Sequence, residues 1–135
     1  MDEYLTCEDD VIIKIARPNK AINIKKKDED MLIPSCFFIL KCRKDSDILP
    51  EYLCVFLNSG MFTDAIRHEY SGSTVKTLKL SVLENIEIPC LSVEKQKDII
   101  KVSNLISNEK QMREELMRKK DLYYERMLYE MLGGK

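Results

Sequence analysis

Apolar positions before about residue 91 fall in short runs separated by turn signals, whereas after it they recur at helical spacing without a break. "VIIKIA" (Val11 to Ala16) is rich in β-branched residues and is closed by Arg17-Pro18-Asn19, which predicts a strand and a turn. "AINIK" predicts a second short strand. Lys25, Lys26, Lys27, Asp28, Glu29 and Asp30 form a charge block and predict a loop. In "CFFILKC", Cys36, Phe38, Leu40 and Cys42 would share one face of a strand, and Phe37, Ile39 and Lys41 the other. Both faces are largely apolar, which predicts a strand internal to its sheet. In "LPEYLCVFLNSG", Pro50 suits the first helical position and Glu51 the first turn. Leu53, Phe56 and Leu57 there have the spacing of a buried stripe, and Gly60 would stop the helix. A second short helix is expected from Met61 to about Tyr70, burying Phe62, Ala65 and Ile66 and ending at Ser71-Gly72-Ser73-Thr74. "SVLENIEIP" predicts one helical turn and then a short strand, with Ile86 and Ile88 facing the same way and Pro89 as its stop.

The rest of the chain predicts one element. Ser92 is placed to cap a helix, with Glu94 in the first turn. No proline or glycine follows until Gly133-Gly134. Roughly 40 residues at 1.5 Å each make a rod about 60 Å long, far beyond an ordinary helix of about 12 residues. Such a rod cannot bury itself on the small domain of residues 1–91 that precedes it. Its apolar stripe runs Ile99, Val102, Leu105 or Ile106, Met112, Leu116, Tyr123, Met127 and Met131, with spacings mostly of three, four and seven. Glu109 and Lys119 or Lys120 interrupt it, so a short antiparallel or mixed pairing is expected rather than a regular parallel zipper. The Met and Tyr content near the end points to contact with another chain. The plain alternative is a helix packed on its own domain for its first half and frayed in its second. The expected class is therefore α+β: a small mixed α/β domain over residues 1–91, then a long helix over 92–135 that pairs as an antiparallel coiled coil.

Composition narrows the function. At 135 residues with 44% hydrophobic and 33% charged side chains, the chain reads as one soluble domain with a charged surface. A net charge of −1 gives no global basic field, so a DNA-binding chain would need a local patch. No apolar run approaches the roughly 20 residues that cross a membrane, and "MDEYLTCEDD" lacks the pattern of a signal peptide. The five cysteines, Cys7, Cys36, Cys42, Cys54 and Cys90, are odd in number and contain no C-x-x-C. They read as small hydrophobes in a reducing cytoplasm, without a disulfide framework or a zinc site. A lone His68 with no placed Cys or Ser partner argues against nucleophilic catalysis. Gly72 stands alone, so no phosphate-cradling loop is visible. Asp9-Asp10 and Asp28/Asp30 could be imagined as a metal site but read as solvated loop charge. No catalytic or metal-ligating residue is expected.

The order of segments carries a resemblance. "ILPEYLCVFLNS", then "SGSTVKTLKLSVLENIEIPCLSVEKQKDI", then the long helix, resemble the C-terminal part of a target recognition domain from the specificity (S) subunits of type I restriction-modification enzymes. In that family a hydrophobic helix with an Asn-Ser end precedes a Gly-Ser/Thr turn, and an Ile-Pro, Glu-x-Gln segment leads into a long helix. Ile88-Pro89 and Glu94-Lys95-Gln96 occupy those places here. "EDDVIIKIARPNKAINI" is similar to the family's Gly-Asp-Ile-Leu-Ile-Ser-Arg strand, with Asp9-Asp10 where Gly-Asp is usual and Arg17 near the usual basic position. The resemblance covers nearly the whole chain, and its specificity lies in order and spacing rather than in any single motif. Two departures stand out. A full S subunit has two recognition domains and two long helices, against one of each here. The N-terminal part of a recognition domain, usually Trp-containing, has no counterpart here, as expected of a half-subunit, a remnant of a recombining locus or an expressed fragment.

The resemblance implies a DNA-reading domain joined to a spacer helix. Two such helices pack antiparallel in the family, hold two recognition domains at a fixed distance and dock the methyltransferase subunits. S-adenosylmethionine would then bind a partner and this chain would need no cofactor. The implied partners are double-stranded DNA, the type I methyltransferase subunit, the restriction subunit in the full complex, and a second copy of this chain. Candidate DNA contacts are Arg17, Lys20, Lys25, Lys26 and Lys27 in one loop region, and Ser71, Ser73, Thr74 and Lys76 in the other. Small hydroxyls and free N–H groups suit phosphate, and Arg or Lys suit phosphate or guanine. Candidate interface residues are Leu105, Met112, Leu116, Tyr123, Met127 and Met131. Taken singly, each loop residue reads more plainly as solvated charge or a helix cap. Residues 1–91 hold fifteen acidic side chains against twelve Lys and Arg, which favours the alternative of an interaction module that binds a methyltransferase, an S subunit or itself without reading DNA. A free coiled-coil protein is the third reading.

Overall fold

The computed structural model describes residues 4–16, 20–69 and 77–134. The elements in chain order are β1 (Tyr4–Leu5), β2 (Val11–Lys14), β3 (Ala21–Asn23), a 3-10 turn (Lys26–Asp28), β4 (Leu32–Ile33), β5 (Phe37–Leu40), α1 (Pro50–Leu57), α2 (Gly60–Glu69), α3 (Leu80–Glu84) and α4 (Val93–Met131). The class is the mixed α/β one expected: a small antiparallel sheet plus a long C-terminal helix. The chain divides into two units, Met1–Ile100 and Lys101–Lys135.

The first unit is built on a three-stranded sheet in the order β3-β2-β5, with a two-stranded ribbon of β1 and β4. Alternation along β2 sends Val11 and Ile13 to one face and Ile12 to the other. Val11 and Ile13 join Ala21, Leu53, Phe56, Leu57, Phe62, Ile66 and Leu78 in the main core. Ile12 joins Ile24 and Ile33 in a second cluster, against which Phe37 and Ile39 pack. Pro50 opens α1 as expected, and the rings of Phe56 and Phe62 meet edge to face at 6.0 Å. Ser59 starts α2 by accepting the N–H of Phe62 on its hydroxyl at 3.4 Å.

Three local expectations are corrected. The internal strand expected over Cys36 to Cys42 is not internal: β2 is the central strand, and β5 lies at the sheet edge among the described residues. Its two apolar faces are explained by two clusters, Phe38 and Leu40 facing the main core and Phe37 and Ile39 the second. Apolar faces report what covers a strand above and below, and leave its edges undetermined. Gly60 is the first residue of α2 rather than the stop of α1, which ends at Leu57 with Asn58 as its C-cap. Ile86 and Ile88 form no strand: both pack against the main core from an irregular segment in which the Ile86 N–H bonds back to Leu83. β1 and β4, two residues each, are too short to leave a periodic signal.

The second unit is helical. Its C-terminal stop is the Gly pair: Gly133 has φ +88°, the Gly134 N–H bonds to Tyr129 and the Gly133 N–H to Glu130. These two bonds form the helix-ending motif that glycine permits at a left-handed position. Pairs four residues apart, Glu109–Arg113 at 2.8 Å, Glu115–Lys119 at 3.4 Å and Arg126–Glu130 at 3.3 Å, support the polar faces. No helix among the described residues is long and apolar enough to cross a membrane.

Candidate nucleic-acid and partner interface

The expected DNA residues divide into three places. Arg17, Ser71, Ser73, Thr74 and Lys76 lie outside the described residues. The residues that flank those two segments, Ala16 and Thr77, form an antiparallel bridge, and the Leu78 N–H bonds to the Ile15 carbonyl at 2.7 Å. Lys20 is exposed immediately before β3, and Lys25, Lys26 and Lys27 follow beyond its other end in the 3-10 turn and its approach. The expectation that Lys20 and the three lysines share one loop region is corrected, because β3, paired along its length with β2, separates them.

The lysine loop is held by a residue that the sequence does not single out. Thr6, 1% exposed, binds it through four bonds. Its hydroxyl donates to the Asp28 carbonyl at 2.6 Å and accepts the Met31 N–H at 2.8 Å. Its backbone N–H donates to Met31 at 2.9 Å, and its carbonyl accepts from Asp30 at 2.8 Å. Asp30 takes a left-handed φ of 62° to close this loop. Lys25 to Lys27 are therefore presented on a pinned turn. Asp28, Glu29 and Asp30 follow directly, so the turn is close to neutral as a whole.

Asp10 is buried, 3% exposed, and the reading of Asp9-Asp10 as solvated charge is corrected for this residue. Its carboxylate accepts the Cys7 N–H at 2.9 Å and pairs with Lys41 at 3.4 Å. It holds the turn before β2, in which Asp9 has a φ of 70°. A left-handed backbone of this kind is one that glycine enters without steric cost. Among the described residues no group of three His, Cys, Asp or Glu side chains could hold a metal ion. Lys41, Arg43 and Lys44 share a cleft of about 440 Å³ with Glu8, Asp9 and Asp10, so that cleft carries opposed charges rather than a basic field.

The junction into α4 is ordered by buried polar contacts. Ser92 caps the helix as expected, accepting the Lys95 N–H on its hydroxyl at 3.2 Å. Gln96 is fully buried. Its side-chain oxygen accepts the Leu49 N–H at 2.9 Å, and its amide donates to Asp47 at 2.7 Å and Leu91 at 2.9 Å. The sequence signal for it is the Glu-x-Gln segment, which marks the position without giving its role.

Further along α4 the expected interface residues are exposed: Leu105 63%, Met112 71%, Leu116 54%, Tyr123 65%, Met127 39% and Met131 76%. Leu122, Tyr124, Leu128, Tyr129 and Leu132 are exposed as well, which broadens the apolar surface near the end of the helix. Large apolar side chains are thus exposed along the length of this helix among the described residues.

No family model matches the chain, and no curated protein matches it. Among solved structures, one chain from a study of complex assembly and conformational transition in the type I R-M system superposes with a TM-score of 0.70. The match covers 94% of this chain at 18% identity. The fold is shared with part of a type I R-M system. This chain spans 34% of that chain's length. At that identity the likeness is one of fold, and its coverage takes in residues of both the small sheet domain and the long helix.

Proposed function

We propose that the chain is a DNA sequence-specificity module of a type I restriction-modification system, equivalent to half an S subunit. Residues 1–91 act as a partial recognition domain and 92–135 as the spacer and dimerisation helix. The observation that carries this reading is the type I-like fold over 94% of the chain, long helix included. Two copies pair their α4 helices antiparallel, burying Leu116, Tyr123 and Met127, and so reproduce the two-fold symmetry of a full subunit. The pair docks methyltransferase subunits and, in the full complex, the restriction subunit. The chain performs no chemistry and binds no cofactor; S-adenosylmethionine binds the methyltransferase. The setting is the cytoplasm. A symmetric pair presents identical reading loops, so the target is an interrupted palindrome.

A salt series of DNA binding by the chain with its methyltransferase tests this, because phosphate contacts give a steep dependence on ionic strength. Binding that ignores salt and sequence would remove the DNA-reading part. A second reading is favoured by the near-neutral lysine turn and the acidic excess of residues 1–91: an interaction module that binds a methyltransferase, an S subunit or itself without touching bases. It predicts a stable complex with no DNA preference.

A further inference from the structure

Residues 25–30 run three lysines and then three acids, yet they do not pair with one another. Side chains three apart eclipse in a 3-10 turn, which would set Lys25 over Asp28 and Lys26 over Glu29. The ion pairs among the described residues lie elsewhere, at Lys41–Asp10 and along α4. The chain leaves the helical path at Glu29, whose backbone is extended (φ −63°, ψ 156°). The Glu29 carboxylate accepts the Glu8 N–H at 3.3 Å instead. Asp28 is half-buried, whereas Lys25, Lys26 and Lys27 are exposed. Both ends of the segment are fixed. Ile24, 1% exposed, donates its N–H to the Asp10 carbonyl at 2.7 Å and accepts the Asp9 N–H at 2.9 Å. Beyond the lysines, Thr6 holds Asp28, Asp30 and Met31 through its four bonds.

We infer that Thr6 is a positioning residue that keeps the charges of this turn apart, so that a segment close to neutral offers Lys25 to Lys27 to the phosphates of duplex DNA. This rests on the DNA-reading proposal above. An exposed ion pair is weak, so a buried threonine bonded to the acidic half is enough to keep such pairs open. Without that hold, Asp28 and Glu29 turn back over Lys25 and Lys26. Each lysine that closes on an acid then no longer displaces a counterion from the duplex. The hydroxyl carries the role, since it donates to the Asp28 carbonyl and accepts the Met31 N–H. Valine has nearly the same shape and makes neither bond, while serine keeps both.

The test measures duplex binding by the full chain with its methyltransferase over a salt series. It compares the parent, Thr6→Val, Thr6→Ser, Glu29→Gln and the double variant Thr6→Val with Glu29→Gln. Thr6→Val should bind about fivefold more weakly at low salt, with a slope flatter by about 0.9 for each lysine lost to an acid. Thr6→Ser should match the parent. Glu29→Gln removes the charge and keeps an oxygen for the Glu8 N–H. Its gain in the Thr6→Val chain should exceed its gain in the parent by about threefold or more. Amide exchange reads the hold itself: Met31 should exchange about tenfold faster in Thr6→Val, with Val11 to Ile13 unchanged. Unchanged exchange at Met31 overturns the inference. So does parent-like binding once Met31 is released, and so does an equal gain from Glu29→Gln in both backgrounds. If Thr6→Val does not fold, Glu8→Pro takes its place in the same cycle. That change removes the N–H that holds Glu29, and proline suits the turn position before the left-handed Asp9. A parent that binds no duplex overturns the DNA reading and the positioning role together. A parent with a steep salt slope that Thr6→Val shares overturns the positioning role alone.

Discussion

The side-chain amide of Asn58 pairs with both backbone groups of Ala21, accepting its N–H at 2.6 Å and donating to its carbonyl at 3.0 Å. Ala21 opens β3, an outer strand of the sheet. Asn58 thus substitutes for a neighbouring strand at the position where β3 begins, and the Cys54 thiol adds a third contact to the same carbonyl at 3.4 Å. A capped edge is less available for pairing with another chain. Asn58→Ala removes both amide bonds, and water replaces them only in part. The expected loss is about 1–2 kcal/mol, read as a lower denaturation midpoint at constant slope. An unchanged midpoint would mean that the pair contributes nothing net.

The exposed stripe of α4 predicts a dimer. Light scattering at tens of micromolar should give twice the 15.8 kDa chain mass. Leu116→Asp should return the monomer, because an unpaired charge in an apolar seam is costly. A parent that stays monomeric, or a variant that stays dimeric, would sink the antiparallel pairing.

The pinned lysine turn predicts the form of DNA binding. Changing Lys25, Lys26 and Lys27 to Ala should weaken binding to all sequences alike. It should also flatten the salt slope by about 0.9 for each phosphate that a lysine no longer neutralises. Arg17→Ala, if that residue reads a base, should instead relax preference at one position by about 1–3 kcal/mol. Parent-like binding by both variants at every salt concentration would move the DNA surface elsewhere.

The backbone at Asp9 predicts a ranking of substitutions. With φ at 70°, a β-branched side chain is disfavoured, so Asp9→Val should lose about 1–2 kcal/mol. Asp9→Gly should fold at least as well as the parent, since glycine enters this region without a steric cost. A tolerated valine at this position would contradict the left-handed turn.

Burial raises the thiol pKa of Cys54 and of Cys42, so less thiolate is present on either at mildly alkaline pH. Cys7, Cys36 and Cys90 are exposed. An alkylating reagent in mildly alkaline buffer should modify the three exposed thiols quickly and the other two slowly, and denaturant should remove the difference. Protonated thiols are favoured in the fold. Their stabilising contribution is therefore complete below the unfolded thiol pKa and is lost as pH rises through the higher folded values. Equally fast reaction at all the thiols would show that the core around Cys54 and Cys42 is open.

The sequence by itself determined the long helix, its Ser92 cap and its glycine stop, the Pro50 start of α1 and the apolar stripe from Leu53 to Leu57. These follow from spacing, capping and steric preference over a few residues, and such effects act before distant contacts form. Tertiary structure alone decided that β5 lies at the sheet edge among the described residues, that Ile86 and Ile88 pack against the core from an irregular segment, and that Lys20 and Lys25 to Lys27 stand at opposite ends of β3. It also decided the roles of Thr6, Asp10, Asn58 and Gln96. Each of these side chains meets backbone groups that become unpaired only once the chain has folded, such as the Leu49 N–H, 47 residues from Gln96. A residue's type states which bonds it can make, and only the packed chain determines which donors and acceptors remain for it.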